Sequence, residues 1–168
     1  MAELFSVTGT TKEKKYQSLF VAIAALVESE TDIIANMANI TAAVKEVFDF
    51  LWVGFYRVVD DELVLGPFQG AIACTRIKKG RGVCGVSWEK AESIIVPDVN
   101  KFAGHIACSS KSKSEIVIPL FKNGEIIGVL DIDSEYLNTF DETDEKYLSQ
   151  IVNNSSFLIR TKYNNKYE

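Results

Sequence analysis

"SEIVIPLFKNGEIIGVLDIDS" occupies residues 114–134. Two β-branched and apolar runs, 114–122 and 125–134, flank Asn123-Gly124. Asn-Gly between such runs is the strongest short signal for a β-hairpin, because both turn positions need positive φ. This stretch therefore commits the chain to an antiparallel sheet, and the other elements are read around it.

Upstream, "LWVGFYRVV" (51–59) is rich in aromatic and β-branched residues, as strands are. "DDE" (60–62) reads as a turn and "LVLGPF" (63–68) as the returning strand, which gives a second hairpin. Between the hairpins, glycines at 70, 80, 82 and 85 predict a loop-rich crossing. A short helix is expected over 86–92, and a short strand over 93–99, ended by Pro97.

Helices bracket the strands. Tyr16, Leu19, Phe20, Ile23 and Leu26 make one apolar stripe over 12–28. Ile33, Met37, Ile40, Val44 and Val47 make another over 32–48, with Thr31 as the expected N-cap. A last helix is predicted from Asp141, its N-cap, to about Lys162, with the stripe Tyr147, Leu148, Ile151 and Leu158. Glu142, Asp144 and Glu145 in its first turn suit the helix dipole. The fold class is α+β: an antiparallel sheet with the N- and C-terminal helices packed on one face. Residues 1–168 read as a single domain, without linker, repeat or low-complexity segment.

Composition narrows the function. The net charge of −5 gives no footprint for general nucleic-acid binding, and Arg76, Lys78, Lys79 and Arg81 read as a solvated loop. No apolar run reaches the ~18 residues of a membrane span, and no signal peptide is expected, so the cytoplasm is the predicted compartment.

The chain holds three cysteines, Cys74, Cys84 and Cys108, an odd number that argues against a static disulfide framework. All three are read into irregular segments rather than apolar stripes, which weakens a packing role. With His105 they would form a Cys₃His set, but Cys74 and Cys84 lack the short spacing of zinc-ligand pairs, and no metal is expected. His105, the only histidine, reads as a hydrogen-bonded structural residue. Thiol redox chemistry remains, with Cys108 as attacker beside "SSKSKS" and Lys111 and Lys113, and with Cys74 and Cys84 as resolving candidates.

Carboxylates form a second cluster. Asp131 and Asp133 lie two apart on one strand and so share a face. Counting back from Asn123-Gly124 sets Glu115 opposite them. Three acids on one face repel, so at least one should hold its proton near neutral pH and serve as a proton donor. The cluster also suits a cation, either a metal or a substrate ammonium. Trp52 and Tyr56, four apart, can wall the same pocket.

"GPFQGAIACTRIKKGRGVCG" (66–85), "VPDVNKFAGHIACSSKSKSEIVIPL" (96–120) and "GVLDIDS" (128–134) together resemble the free methionine-(R)-sulfoxide reductases, a GAF-fold family. The resemblance implies reduction of the free R sulfoxide with no cofactor. It implies Cys108 as the catalytic cysteine, Cys74 as the main resolving cysteine and Cys84 as a third redox-capable thiol. Glu115, Asp131 and Asp133 match the family's acidic substrate site, and Trp52 and Tyr56 its aromatic wall. It also implies thioredoxin as reductant and members that are often dimers. On the terminal helices, Phe20, Val21, Ile151 and Phe157 are extra apolar residues that either pack on a second copy or cover the sheet. The rival expectation is a GAF module that binds a small molecule as a sensor. A sensor is expected beside an output domain, and three carboxylates would repel a cyclic nucleotide's phosphate.

Overall fold

The structure, a computed structural model, describes residues 6–106 and 110–154. Its elements in chain order are α1 (Lys12–Val27), α2 (Ile33–Phe48), β1 (Trp52–Val59), β2 (Glu62–Gln69), β3 (Arg76–Lys78), α3 (Gly82–Lys90), β4 (Ile94–Val96), a 3₁₀ turn (Val99–Lys101), β5 (Ser114–Lys122), β6 (Glu125–Ser134) and α4 (Glu142–Asn153). The strands form one antiparallel sheet in the order β3-β2-β1-β6-β5-β4. The hairpin at 114–134 has the expected bounds, and its turn places Asn123 and Gly124 at φ 53° and 84°.

The helices at the two ends cover one face of the sheet. Tyr16, Leu19 and Ile23 of α1, Met37, Ile40 and Val44 of α2, and Leu148 and Ile151 of α4 pack with Phe55, Ile116, Ile118, Leu120, Leu130 and Ile132. Helix α3 covers part of the opposite face, where Val83, Cys84 and Trp88 meet Trp52, Tyr56, Val117 and Val129. That second layer explains why 114–122 reads as a continuous apolar run. With cover on both sides, Ser114 to Leu120 are all buried.

Several boundaries differ from the sequence reading for local reasons. Asp32, not Thr31, caps α2, because its Oδ1 accepts from the Ile34 and Ala35 N–H groups at 2.8 and 2.9 Å. Helix α3 begins at Gly82 rather than 86, so Cys84 is helical and not in a loose crossing. The crossing also contains β3, paired to β2 through Leu63 and Ile77. Val27 completes the buried stripe of α1, while Phe20 and Leu26 are only partly buried.

Asp141 caps α4 as expected and forms a capping box with Asp144. The helix ends at Asn153, short of the expected Lys162, because Asn154 takes extended backbone as its C-cap, and the Asn153 side chain clasps an open edge of β5. Asn153 Nδ2 donates to the Pro119 carbonyl at 3.1 Å, and its Oδ1 accepts from Phe121 N–H at 2.9 Å. Strand β4 pairs with β5 only as far as Val117, so Pro119, which has no N–H, sits beyond the end of that ladder.

Of the residues that either face a second copy or cover the sheet, Ile151 is fully buried in the core and so covers the sheet. Val21 is 68% exposed. Phe157 and Leu158 lie outside the described residues. No helix among the described residues is long and apolar enough to cross a membrane.

Candidate active site

Strand register assembles the site. Trp52 pairs with Asp133 across β1 and β6, and Asp133 pairs with Glu115 across β6 and β5. One row across three strands thus carries an indole and two carboxylates. Asp131 lies one step along the same face, opposite Gly54 and Val117. Tyr56 follows on β1, with its ring centroid 6.1 Å from that of Trp52. These side chains line a cavity of about 240 Å³, closed by residues of α3, the 71–73 loop, and residues 105–106 and 110–112. That is below the ~300–1,000 Å³ of drug-sized pockets and on the scale of one amino acid.

Glycines make room for the indole. A Cβ on Gly54 would stand 2.1 Å from the Trp52 ring, so the ring lies directly over that backbone. Gly70, at φ +137°, lets the chain leave β2 beneath the same ring. Trp52 Nε1 then donates to the Ala71 carbonyl at 3.0 Å, and the Tyr56 hydroxyl donates to the Cys74 carbonyl at 2.9 Å. The two aromatic residues therefore both wall the cavity and fix the loop that carries Cys74.

The acids are buried deeply: Glu115 is 5% exposed and Asp131 7%. Burial raises the pKa of Glu115 well above the carboxylate range, and the charges of Asp131 and Asp133 add to it. Asp131 is raised by burial and then by Asp133. Asp133 is pushed up to about 6 by burial, against a hydrogen bond donated by the Ser112 hydroxyl. Within the cluster, the Cys84 sulfur and carboxylate oxygens of Glu115 and Asp131 all lie within 4.8 Å of one another. Asp131 Oδ1 is buried without a hydrogen-bond partner. Burial favours the protonated form of each acid, and the site presents an unsatisfied acceptor.

Of the three cysteines, Cys74 is disulfide-bonded. Cys84 is a free buried thiol whose pKa burial drives well up. Cys108, the expected attacker, lies outside the described residues. Among the described residues, Cys84, Glu115 and Asp131 are the one cluster able to hold a metal ion, a set different from the Cys₃His spacing considered in the sequence.

Sequence reasoning undervalued two residues. His105 lines the cavity with Nδ1 3.8 Å from Glu115 Oε2, and burial lowers its pKa, so it is neutral at pH 7. Its place after a run of loop residues gave no periodic signal. Ser112, in the "SSKSKS" run, donates its hydroxyl to Asp133 Oδ1. Lys113 N–H donates to the Ser134 carbonyl at 2.8 Å, extending the β5–β6 ladder and bringing Ser112 beside Asp133. Arg76, in the basic stretch, is exposed and pairs with Glu62 at 3.0 Å, as a solvated surface does.

Helices from both ends of the chain on one face of a six-stranded antiparallel sheet, with a small cavity against its other face, define an α+β domain with a pocket. The GAF domain profile matches residues 30–160, and the chain belongs to the free methionine-(R)-sulfoxide reductase branch of the GAF-domain family. GAF domain-containing protein A of Dictyostelium discoideum is 61% identical over 90% of this chain and 97% of its own length. Free methionine-R-sulfoxide reductase of Escherichia coli is 48% identical over 84% of this chain and 86% of its own. The crystal structure of free methionine-R-sulfoxide reductase from Neisseria meningitidis, in complex with its substrate, superposes with a TM-score of 0.89 at 49% identity, covering 93% of each chain.

Proposed function

We propose that this chain reduces free L-methionine-(R)-sulfoxide to L-methionine. The observation that carries the reading is the row of proton-holding carboxyls beside an indole in an amino-acid-sized cavity. Relatives named for this activity, at 48% and 38% identity, support it.

In this reading the Cys108 thiolate attacks the sulfoxide sulfur. Glu115, with Asp133, protonates the sulfoxide oxygen, and the resulting hydroxyl passes from the substrate sulfur to the Cys108 sulfur as the sulfur–oxygen bond and the transient sulfur–sulfur bond both break. Methionine leaves reduced by two electrons, and Cys108 is left oxidised by two electrons as a sulfenic acid. The Cys74 thiol then attacks that sulfur, releasing water and closing a disulfide. The presence of Cys74 in a disulfide, while Cys84 is free and buried, favours Cys74 as the resolving partner. An external dithiol of the thioredoxin type returns both thiols.

Asp131, with its unpartnered oxygen, pairs with the substrate ammonium. A methionine within a peptide offers an amide there instead, so the free amino acid is selected. Trp52 packs on the substrate methyl group and Tyr56 completes the wall. Cys84 is a reserve thiol. The chain works as one domain in the reducing cytoplasm, and as a homodimer through a helical face where Val21 is exposed.

The test is turnover. Reduced protein, dithiothreitol and the free R epimer should yield methionine, and Cys108→Ser should abolish it. The S epimer and an N-acetylated sulfoxide should give none. Binding of the R epimer without release of methionine would make this a sensor and overturn the reading.

A further inference from the structure

Cys84, Glu115 and Asp131 come from three different elements, α3, β5 and β6. Their sulfur and carboxylate oxygens all lie within 4.8 Å of one another. All three side chains are buried, and Asp131 Oδ1 is shut from solvent with no hydrogen-bond partner. We propose that this triad is a binding site for a thiophilic divalent cation of the zinc class, which occupies the cavity and inhibits the protein reversibly.

One sulfur and two carboxylate oxygens are borderline donors that suit zinc. Magnesium and calcium take all-oxygen shells of six or more ligands, which this site does not offer. Tetrahedral zinc, with bonds of about 2.0–2.2 Å to oxygen and 2.3 Å to sulfur, sets its donors roughly 3.3–3.7 Å apart. The observed spread needs only a small inward movement of side chains. Without the cation, burial favours the protonated forms of the same three groups. On binding, the metal replaces these protons, which leave to water, and no electrons move. Three protein donors leave a fourth position toward the cavity, and His105, with Nδ1 3.8 Å from Glu115 Oε2, adds a nitrogen donor beside the set.

Occupation removes the carboxylates that the proposed chemistry needs, so competition with the sulfoxide rests on the function proposed above. Cation binding itself does not. The test uses cobalt(II) as a spectroscopic stand-in on the reduced full chain, without substrate. Cys74→Ser/Cys108→Ser leaves Cys84 as the only thiol and should retain the thiolate-to-cobalt absorption band, displaced by added zinc. Cys84→Ser should lose the band. Asp131→Asn in the two-serine background should weaken binding by at least about tenfold, with folding checked by circular dichroism. Absence of the band when Cys84 is the only thiol, or an undiminished band in Asp131→Asn, would overturn the proposal. A separate titration of zinc against turnover then reads competition: a band without inhibition would refute the inhibitory role while leaving the site.

Discussion

The Tyr56 hydroxyl donates to the backbone carbonyl of Cys74 across 2.9 Å. A residue in the middle of β1 thereby holds the segment that carries a disulfide-bonded cysteine. Burial first, and then the charge of Asp131, push the Tyr56 pKa up, so the phenol remains a donor at every accessible pH. Tyr56→Phe keeps the ring and removes this restraint, worth about 1 kcal/mol. The expected result is severalfold slower disulfide closure after oxidation by substrate, with methionine release in the first turnover little changed. Rapid-quench thiol counting checks it.

Gly54→Ala should act through Trp52. The new methyl cannot share space with an indole 2.1 Å away, so the ring must swing out of the cavity wall. Overpacking of this kind costs about 1–3 kcal/mol. The expected outcome is a lower melting temperature and a KM for the free sulfoxide raised more than kcat is lowered. Steady-state kinetics and calorimetry would show it.

The buried acids give stability an unusual slope with pH. Asp133 has a folded pKa of about 6, above its ordinary value of 3.8. Between roughly pH 4 and 6 the folded state therefore binds more protons than the unfolded state, and stability falls as pH rises. Glu115 and Asp131 shift in the same direction and extend the trend upward. Denaturant unfolding without ligand should give a higher midpoint at pH 5 than at pH 7.5. Asp133→Asn should flatten the lower part of that slope.

Asp141 behaves in the opposite sense. Hydrogen bonding to Lys12 and to the Thr143 N–H lowers its pKa to about 2. Its stabilisation is present above about pH 4 and is lost as pH falls toward 2. Lys12 also bridges to the buried Asp144, which accepts from the Tyr16 hydroxyl at 2.7 Å, so α1 and α4 are tied at one point. Asp141→Ala should cost about 1 kcal/mol as a lost cap, read from the unfolding midpoint at pH 7, and should remove part of the acid-limb slope.

The hairpin at 114–134 was legible because turn chemistry and strand pattern agree there, and its register carried Glu115, Asp131 and Asp133 onto one face with it. Cys84 was misread as a loop residue because glycines at 80, 82 and 85 mark a break in sequence. In the structure Gly82 instead begins a helix. The roles of His105 and Ser112 arise from contacts across the sheet and between loops, which no local period encodes. The short helix expected over 86–92 corresponds to α3, but its place on the second face of the sheet has no local signal in the sequence.

One turnover without reductant tests the central claim most directly. Fully reduced protein is mixed with excess free methionine-(R)-sulfoxide, quenched with a thiol alkylator, digested and weighed by mass spectrometry. The account predicts about one methionine released per chain, a cross-linked Cys74–Cys108 peptide pair and alkylated Cys84. Methionine release with Cys108 still alkylated, or no release at all, would contradict it.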